Sequence, residues 1–163
     1  MFKVLDEVCT PRRGTKYSSY VDLFARESVS VGAGETNIIP LGIKIDPNFF
    51  IYEIGEVDVD AGGSILSFGE SKKIDRFLKT HYLELALRSS LAVKGLIISN
   101  GIGVIDLDYP DEIGLIVYNT LDKEFKINKG DKVAQCTLKE HKSYLMGYES
   151  EVVRDGGFGS TGK

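Results

Sequence analysis

Acidic side chains gather in one stretch of the chain, Leu96–Asn119, between two runs rich in β-branched residues. The runs predict two strands joined by a loop, so we expect an antiparallel hairpin with carboxylates at its bend. Because Asp, Pro and Gly favour turns, the cluster is also compatible with a plain solvated turn. The position of Asp106 favours a functional role over a plain turn, since the residue directly follows a predicted strand and lies close to strand backbone. The acidic side chains are Asp106, Asp108, Asp111 and Glu112.

Around these carboxylates the sequence resembles the third signature motif of the trimeric dUTP pyrophosphatases (dUTPases). The resemblance rests on Asn100 and on the pattern Gly-Val-Ile-Asp-x-Asp-Tyr over Gly103–Tyr109. It implies that Asp106 orients and deprotonates the water that attacks the α-phosphorus. A carboxylate suits that task because it is ionised at neutral pH and accepts two hydrogen bonds. The resemblance also implies that Tyr109 lies under the deoxyribose and excludes a 2′-hydroxyl. The residues implied to bind the uracil edge are Asn100, Gly103, Val104 and Ile105.

Another acidic residue, Asp22, lies in a predicted strand entry over Thr15–Ala25. By pattern alone Val21 and Leu23 face one way, and Asp22 is expected to be an exposed edge residue. The run Asp-Leu-Phe-Ala that begins at Asp22 resembles the first dUTPase motif, although Tyr20 and Val21 replace its usual Gly-Tyr. The resemblance implies that Asp22 holds water molecules around a magnesium ion, Mg2+.

The run Leu87–Ala92 offers groups that bind phosphate. Arg88 supplies a forked cation, and Ser89 begins a predicted short helix whose free N–H groups attract phosphate oxygens. Ordinary capping by the serine would explain the same residue. The run resembles the second dUTPase motif, Pro-Arg-Ser-Gly-Leu-Ala, with Ser90 in place of the glycine. Because the related dCTP deaminases share the Arg-Ser-Ser form, this motif indicates the superfamily without separating its two enzymes.

Two matches lie near the end of the chain. Lys129–Gln135 resembles the fourth motif, Gly-Asp-Arg-Ile-Ala-Gln, which implies that Gln135 holds the phosphate chain; by itself the residue would be a strand-edge amide. The terminus, Arg154–Lys163, resembles the fifth motif, although its arginine lies one residue nearer to the phenylalanine than in the family's pattern. Glycine content alone is typical of a disordered terminus. The resemblance implies that Phe158 stacks on uracil and that the neighbouring backbone wraps the phosphates. The residues concerned are Arg154, Phe158, Gly159 and Ser160.

Short alternating runs predict an all-β fold, and the resemblance implies a dUTPase-like β jelly roll or distorted barrel. At most one or two short helices are expected. One is predicted over Ser71–Lys79 with Ser71 as its N-cap, and the other over Ser89–Lys94, ended by Gly95. The strands predicted outside the hairpin and the first motif are Val29–Val31, Asn37–Ile39, Gly42–Ile45, Phe50–Ile54, Glu56–Val59 and Leu83–Leu87.

We expect one dUTPase-like domain over residues 1–153 and a flexible nucleotide-covering tail over residues 154–163. The segment from about residue 47 to 81 is longer than the family usually has before its second motif, so it is predicted to be an insertion. A loop of this length costs little closure entropy, which favours a surface elaboration. A partner-binding or lid element is the alternative, supported by its aromatic residues. These are Phe49, Phe50, Tyr52 and Phe68.

The composition excludes several classes of function. A net charge of −4 and a pI near 5.3 argue against a broad nucleic-acid surface. The apolar runs are shorter than the roughly 18 residues that span a bilayer. Acidic residues also interrupt the N-terminal segment, where a signal peptide needs a continuous apolar core, so no membrane contact is expected. Cys9 and Cys136 are predicted to be buried, reduced thiols of a cytoplasmic protein.

Together, five motifs in the family's order predict a dUTPase that converts dUTP and water to dUMP and pyrophosphate. The resemblance implies that Mg2+ neutralises the triphosphate and that a homotrimer builds each site from several subunits. One alternative is a bifunctional dCTP deaminase and dUTPase. The deaminases need a glutamate three residues before Asn119, and Ile116 stands there. The other alternative is a regulatory protein that binds a partner through the insertion.

Overall fold

The computed structural model describes residues 1–53, 58–67 and 69–147 of the 163-residue chain. Strands dominate it, as predicted. They are β1 (Phe2–Val4), β2 (Arg12–Arg13), β3 (Val21–Phe24), β4 (Val29–Val31), β5 (Thr36–Pro40), β6 (Ile43–Ile45), β7 (His81–Leu87), β8 (Leu96–Ile98), β9 (Gly103–Asp106), β10 (Gly114–Asn119), β11 (Phe125–Ile127) and β12 (Lys132–Glu140). The α-helices are α1 (Phe50–Glu53), α2 (Lys72–Leu78) and α3 (Ser89–Ala92), and three 3-10 turns cover Glu7–Cys9, Pro47–Phe49 and Ser143–Met146.

Four sheets share one core. A five-stranded sheet has the order β2-β3-β12-β7-β9, a three-stranded sheet the order β5-β10-β8, and β1-β6 and β11-β4 are two-stranded. The long strand β12 is central, because it pairs antiparallel with both β3 and β7. Along β7, Leu83 and Leu85 are fully buried while Glu84 between them faces outward, as the two-residue period of a strand requires. The all-β prediction is therefore confirmed.

The hairpin predicted over Leu96–Asn119 forms only between its two ends, where β8 pairs antiparallel with β10, and the prediction is wrong for β9. Strand β9 pairs with β7 in the five-stranded sheet, whereas β10 pairs with β8 and β5 in the three-stranded sheet. The loop between β9 and β10 explains the difference, because it carries buried side chains that must reach the core. Crossing from one sheet to the other buries them, and a turn at a sheet edge would not. These side chains are Leu107, Tyr109 and Ile113.

The strand predicted over Phe50–Ile54 is also wrong, since α1 occupies its described part and brings the described α-helices to three. Helix-start signals outweigh the alternating pattern here. Asp46 accepts a hydrogen bond from the Asn48 amide, and Pro47 begins the 3-10 turn that leads into α1. Phe50 is then 1% exposed. Of the strand predicted over Glu56–Val59, residues 56 and 57 lie outside the described residues and Val59 forms a single bridge with Ile65.

The two predicted helices are confirmed. Ser71 caps α2 by accepting a hydrogen bond from the Ile74 amide at 3.3 Å, and Ile74 is buried. Phe77 packs against Phe50 with ring centroids 4.8 Å apart, so α2 anchors the insertion to the core. Helix α3 ends before Gly95, whose φ of +99° is the left-handed conformation that glycine adopts most easily.

Both cysteines are buried and unpaired, as predicted. Burial raises the pKa of the Cys136 thiol to about 12, which keeps it protonated and inert. Among the helices that the structure describes, none combines the length and the apolar character needed to cross a membrane.

Candidate functional site

A small cavity lies between β9 and the first half of β10. Its volume is about 210 Å³, below the roughly 300 Å³ at which ordinary ligand pockets begin, so it can enclose one small ring while the rest of a ligand stays outside. Apolar side chains form much of the wall, and Asp106 and Asn100 supply polar groups. The lining residues are Leu85, Ile98, Asn100, Gly103, Val104, Ile105, Asp106, Tyr109, Ile113, Gly114 and Ile116. We call this the ring cavity.

Strand pairing places Asp106 at the rim of the ring cavity. It is the last residue of β9, directly opposite Tyr82 of β7, and its side chain is exposed. At the other end of β9, a Cβ on Gly103 would come within 2.8 Å of the Leu85 Cβ, so glycine lets the two strands approach. A left-handed turn at Gly101 (φ +76°) sets Asn100 beside the same strand.

The loop that crosses the core fixes the floor of the ring cavity. Tyr109 is only 7% exposed and belongs to the core cluster while it also lines the cavity. Glu112 anchors the loop from outside: it accepts a hydrogen bond from the Gly42 amide at 2.7 Å and pairs with Arg26 at 3.1 Å. A buried ring in a loop anchored in this way is suited to setting the shape of the cavity.

A second cavity, wider and more polar, opens at the other end of the five-stranded sheet, with a volume of about 500 Å³. Two cations face one carboxylate there, and hydroxyl groups line the remaining wall. Such a surplus of positive charge with hydroxyl donors suits an anion, and phosphate in particular. The lining residues are Gly14, Thr15, Ser18, Ser19, Tyr20, Asp22, Arg88, Lys132 and Gln135. We call this the anion cavity.

Asp22 is the charged centre of the anion cavity, and the expectation that it is an exposed edge residue is wrong. It is 7% exposed, because β3 is an inner strand between β2 and β12. Its Oδ1 accepts a hydrogen bond from Arg88, and its Oδ2 accepts one from Lys132 at 3.1 Å. Gln135 lies beside it, paired in register across the strands. The fold therefore brings Asp22, Arg88 and Gln135 together at one cavity.

Ser89 and Ser90 follow Arg88 as the exposed first residues of α3. The capping position belongs to Arg88, which makes no side-chain cap, so Ser89 does not cap the helix. Neither serine lines the anion cavity. The tail residues Arg154, Phe158, Gly159 and Ser160 lie outside the described residues.

Six lining residues of the anion cavity were missed at the sequence level, and two of them, Tyr20 and Lys132, make side-chain contacts with other segments of the chain. Lys132 had a signal, since it replaces the arginine of the fourth motif in Lys129–Gln135. Tyr20 had none: its hydroxyl donates to Glu84 of β7, a contact between residues 64 apart in the chain. That hydrogen bond lowers the pKa of Glu84 and raises the pKa of Tyr20, because it favours the carboxylate and the neutral phenol.

The two cavities are far apart in one chain. Asp106 lies opposite Tyr82, and Arg88 follows six residues further along the same strand direction. At roughly 3.3 Å per residue the separation is about 20 Å. Asp106 and Arg88 of a single chain therefore cannot contact the same phosphate group.

Metal-binding groups are sparse. Within residues 1–53, 58–67 and 69–147, His, Cys, Asp and Glu side chains form no group of three or more that could hold an ion. Of the described residues that line the anion cavity, Asp22 is the one carboxylate. That donor set fits Mg2+, which commonly binds one or two carboxylates, several waters and the phosphates of a substrate.

Comparison with known proteins gives one consistent family. A family model described as dUTPase matches residues 77–162. The deoxyuridine 5′-triphosphate nucleotidohydrolase of Candida albicans is 41% identical over 159 residues, which are 94% of this chain and 80% of that protein. The enzyme of the same name from Kluyveromyces lactis is 48% identical over 87 residues, which are 50% of this chain and 58% of that protein.

The fold comparison agrees. A mutant dUTPase from phage phi11 of S. aureus superposes with a TM-score of 0.59, covering 98% of each chain at 18% identity. Its description concerns the coordination of a structural Mg(II) ion in that protein. At this identity the likeness supports the fold alone.

Proposed function

Since the chain belongs to the dUTPase family and is a dUTP diphosphatase, we propose that it hydrolyses dUTP in a site formed by the ring cavity of one copy and the anion cavity of another. The observation that carries this proposal is the separation of about 20 Å between Asp106 and Arg88 along β7. The water-activating group and the phosphate-binding cation can act on one nucleotide only if different copies supply them. The resemblance to the trimeric family supports a homotrimer as the assembly.

The uracil enters the ring cavity, and the deoxyribose lies beside it against Tyr109. The volume of the cavity matches a single ring, and backbone groups of β9 with Asn100 at its edge provide donors and acceptors for the base. Tyr109 forms the floor under the sugar, where a buried aromatic ring leaves no room for a 2′-hydroxyl. At the rim, Asp106 takes a proton from the attacking water as it approaches the α-phosphorus.

The anion cavity receives the triphosphate. Arg88 and Lys132 supply charge-assisted hydrogen bonds, Gln135 donates from its amide, and Ser89 and Ser90 stand next to Arg88 at the start of α3. By the resemblance of the tail, Arg154, Phe158, Gly159 and Ser160 cover the nucleotide, with Phe158 on the base. This tail function is a prediction, as is the division into a domain over residues 1–153 and a tail over residues 154–163.

Asp22 would hold magnesium through water. In the structure, both carboxylate oxygens of Asp22 accept hydrogen bonds from cations, one from Arg88 and one from Lys132. When a triphosphate binds, its oxygens would attract these two cations, and the carboxylate would then be available to water molecules. The bound ion would supply charge neutralisation on the triphosphate. The protein side chains orient the nucleotide and move the proton at Asp106.

The ring cavity argues against deamination. Ile116 lines it at the position where the related deaminases need a glutamate. An aliphatic side chain cannot shuttle a proton to a departing amine. We therefore expect dCTP to remain unchanged.

The experiment is a comparison of pyrophosphate release from dUTP, dCTP, dTTP and UTP at equal concentration. We expect release from dUTP, with the other three slower by at least about tenfold, and no appearance of dUTP from dCTP. Hydrolysis of UTP at the rate of dUTP would contradict the role of Tyr109. Conversion of dCTP would contradict the role of Ile116, and inactivity on all four would favour a regulatory protein that uses the insertion.

A further inference from the structure

A carboxylate on the outer face of the five-stranded sheet has three donors around it. Glu84 of β7 faces away from the core, between the buried Leu83 and Leu85. Tyr20 donates to its Oε1, and Tyr82 donates to its Oε2 at 3.2 Å. Lys139 of β12 places its Nζ 3.9 Å from Oε1, and the Glu84 side chain is 16% exposed. A carboxylate exposed to solvent would have water as its partner, whereas Glu84 has three protein side chains.

One of these donors belongs to the anion cavity. Tyr20 lines that cavity and lies two residues before Asp22, at the end of the loop of residues 14–20. Thr15 and Ser18 bond to each other inside the loop: the Thr15 amide donates to the Ser18 hydroxyl at 2.8 Å, and the Ser18 amide donates to the Thr15 carbonyl at 3.2 Å. The Ser18 carbonyl also accepts a hydrogen bond from Arg13 of the adjoining strand β2. The Tyr20 hydroxyl instead reaches across the sheet to β7.

We propose that Glu84 is a positioning residue of the anion cavity. By holding the Tyr20 hydroxyl, it fixes the wall formed by residues 14–20 opposite Arg88 and Lys132. The inference rests on the proposed function, in which this cavity takes the triphosphate. Glu84 touches no nucleotide; its effect passes through Tyr20 to the geometry in which the phosphates are bound.

The protonation states of the pair keep this contact constant near neutral pH. The Tyr20 hydrogen bond lowers the pKa of Glu84 below its ordinary value of 4.5, and the Glu84 hydrogen bond raises the pKa of Tyr20 above its ordinary value of 10. The contact is therefore lost only when the pH falls through the lowered pKa or rises through the raised one. A pH–rate profile between pH 5 and 9 should have the same shape with and without Glu84.

The test measures two ligands that occupy different halves of the site. Binding of a non-hydrolysable α,β-imido analogue of dUTP and binding of dUMP are compared by calorimetry in the wild-type protein and in Glu84→Ala. We expect the affinity for the analogue to fall about five- to tenfold, as for the loss of one hydrogen bond, and the affinity for dUMP to change less than about twofold. The value of KM for dUTP should rise in parallel while kcat stays within about threefold.

Three single variants and one double variant separate positioning from general destabilisation. Tyr20→Phe removes only the hydroxyl and should match Glu84→Ala, and the double variant should lose no more than either single one because both break the same contact. Glu84→Gln keeps an oxygen that accepts from Tyr20 and should retain most of the affinity. Glu140→Ala removes an exposed carboxylate from the end of β12 in the same sheet and should have no effect.

Unchanged analogue binding in both Glu84→Ala and Tyr20→Phe would overturn the proposal, and so would an equal loss for dUMP and the analogue, which would indicate a structural role. These results leave the proposed function intact. Failure of the wild-type protein to bind the analogue would overturn the triphosphate assignment and this proposal together.

Discussion

The ring cavity and the anion cavity differ in where their walls come from in the chain. Most of the ring cavity is local, with ten of its eleven lining residues within residues 98–116 and Leu85 as the exception. The anion cavity combines residues 14–22 with Arg88 and with Lys132 and Gln135 of β12, so three separate segments must come together before it exists. A local cavity keeps its shape through strand register, whereas an assembled one depends on long-range contacts.

The chemistry of the two cavities differs in the same way. Apolar side chains surround the ring cavity and Asp106 stands at its rim, so shape selects the ligand and one carboxylate acts on it. In the anion cavity, Arg88 and Lys132 converge on Asp22, so charge selects the ligand. A change in the first should therefore alter turnover or base and sugar selection, and a change in the second should alter the affinity for phosphates.

The largest expected effect comes from Asp106→Asn. Loss of the general base should lower kcat for dUTP by at least about 10²–10⁴-fold, while the affinity for the imido analogue changes little. Rapid-quench measurement of pyrophosphate release, with calorimetry of analogue binding, checks both parts. Asp108→Asn, two residues along the same loop, is the matched control. Turnover near the wild-type rate in Asp106→Asn would remove this residue from the mechanism.

A smaller effect, on binding, is expected from Lys132→Met. Removing one charge-assisted hydrogen bond should weaken binding of the triphosphate analogue about tenfold and leave dUMP binding almost unchanged. The matched control is Lys129→Met, which breaks an ion pair with Asp6 on the neighbouring turn away from the cavity. An equal loss of affinity for dUMP and for the analogue would contradict the assignment of the triphosphate to the anion cavity.

The smallest effect is expected from shortening the insertion, whose described residues line neither cavity. Replacing residues 59–67 by a short glycine linker should leave kcat and KM within about twofold. The linker must keep Asp58, which accepts hydrogen bonds from Ser71 at 2.8 Å and from the Lys73 amide at 3.2 Å at the start of α2. Complete inactivation of a folded assembly would show that the segment contributes to the site.

Unlike the shortened insertion, a substitution at Phe50, where the insertion packs on the core, is expected to lower stability. Phe50 is 1% exposed and packs against Phe77 of α2, so Phe50→Ala should lower the free energy of unfolding by about 3–5 kcal/mol without a specific effect on either ligand. Chemical denaturation monitored by circular dichroism measures this. A neutral substitution would mean that the insertion is not anchored as the structure has it.

Sequence reasoning succeeded where the information is local. Asn100, Asp106 and Tyr109 were found from one motif, and the register of β9 against β7 brings them to one cavity. Helix α2 was found from its cap and its apolar spacing. The motifs also named Asp22 and Arg88. The alternating pattern alone placed Asp22 at an exposed edge, because alternation within one segment does not reveal which strands lie inside the sheet.

The rest depends on tertiary contacts that spacing does not encode. From its sequence, the loop after Asp106 is predicted to be a turn, and only the folded structure shows that Leu107 and Ile113 are buried in the core. Phe50 alternates like a strand residue, yet Asp46 and Pro47 start a helix before it. The contact of Tyr20 with Glu84 joins segments without a shared motif, so only the folded chain reveals it.

The most direct test of a site shared between copies is complementation. Asp106→Asn damages the ring-cavity half and Arg88→Ala damages the anion-cavity half, so each variant alone should be nearly inactive when assayed at a dUTP concentration well below the wild-type KM. When equal amounts are unfolded and refolded together, random assembly should give about a quarter of the sites two intact halves, and about a quarter of wild-type activity should return. A mixture no more active than its two parents, with mixed oligomers confirmed by native mass spectrometry, would contradict the shared site.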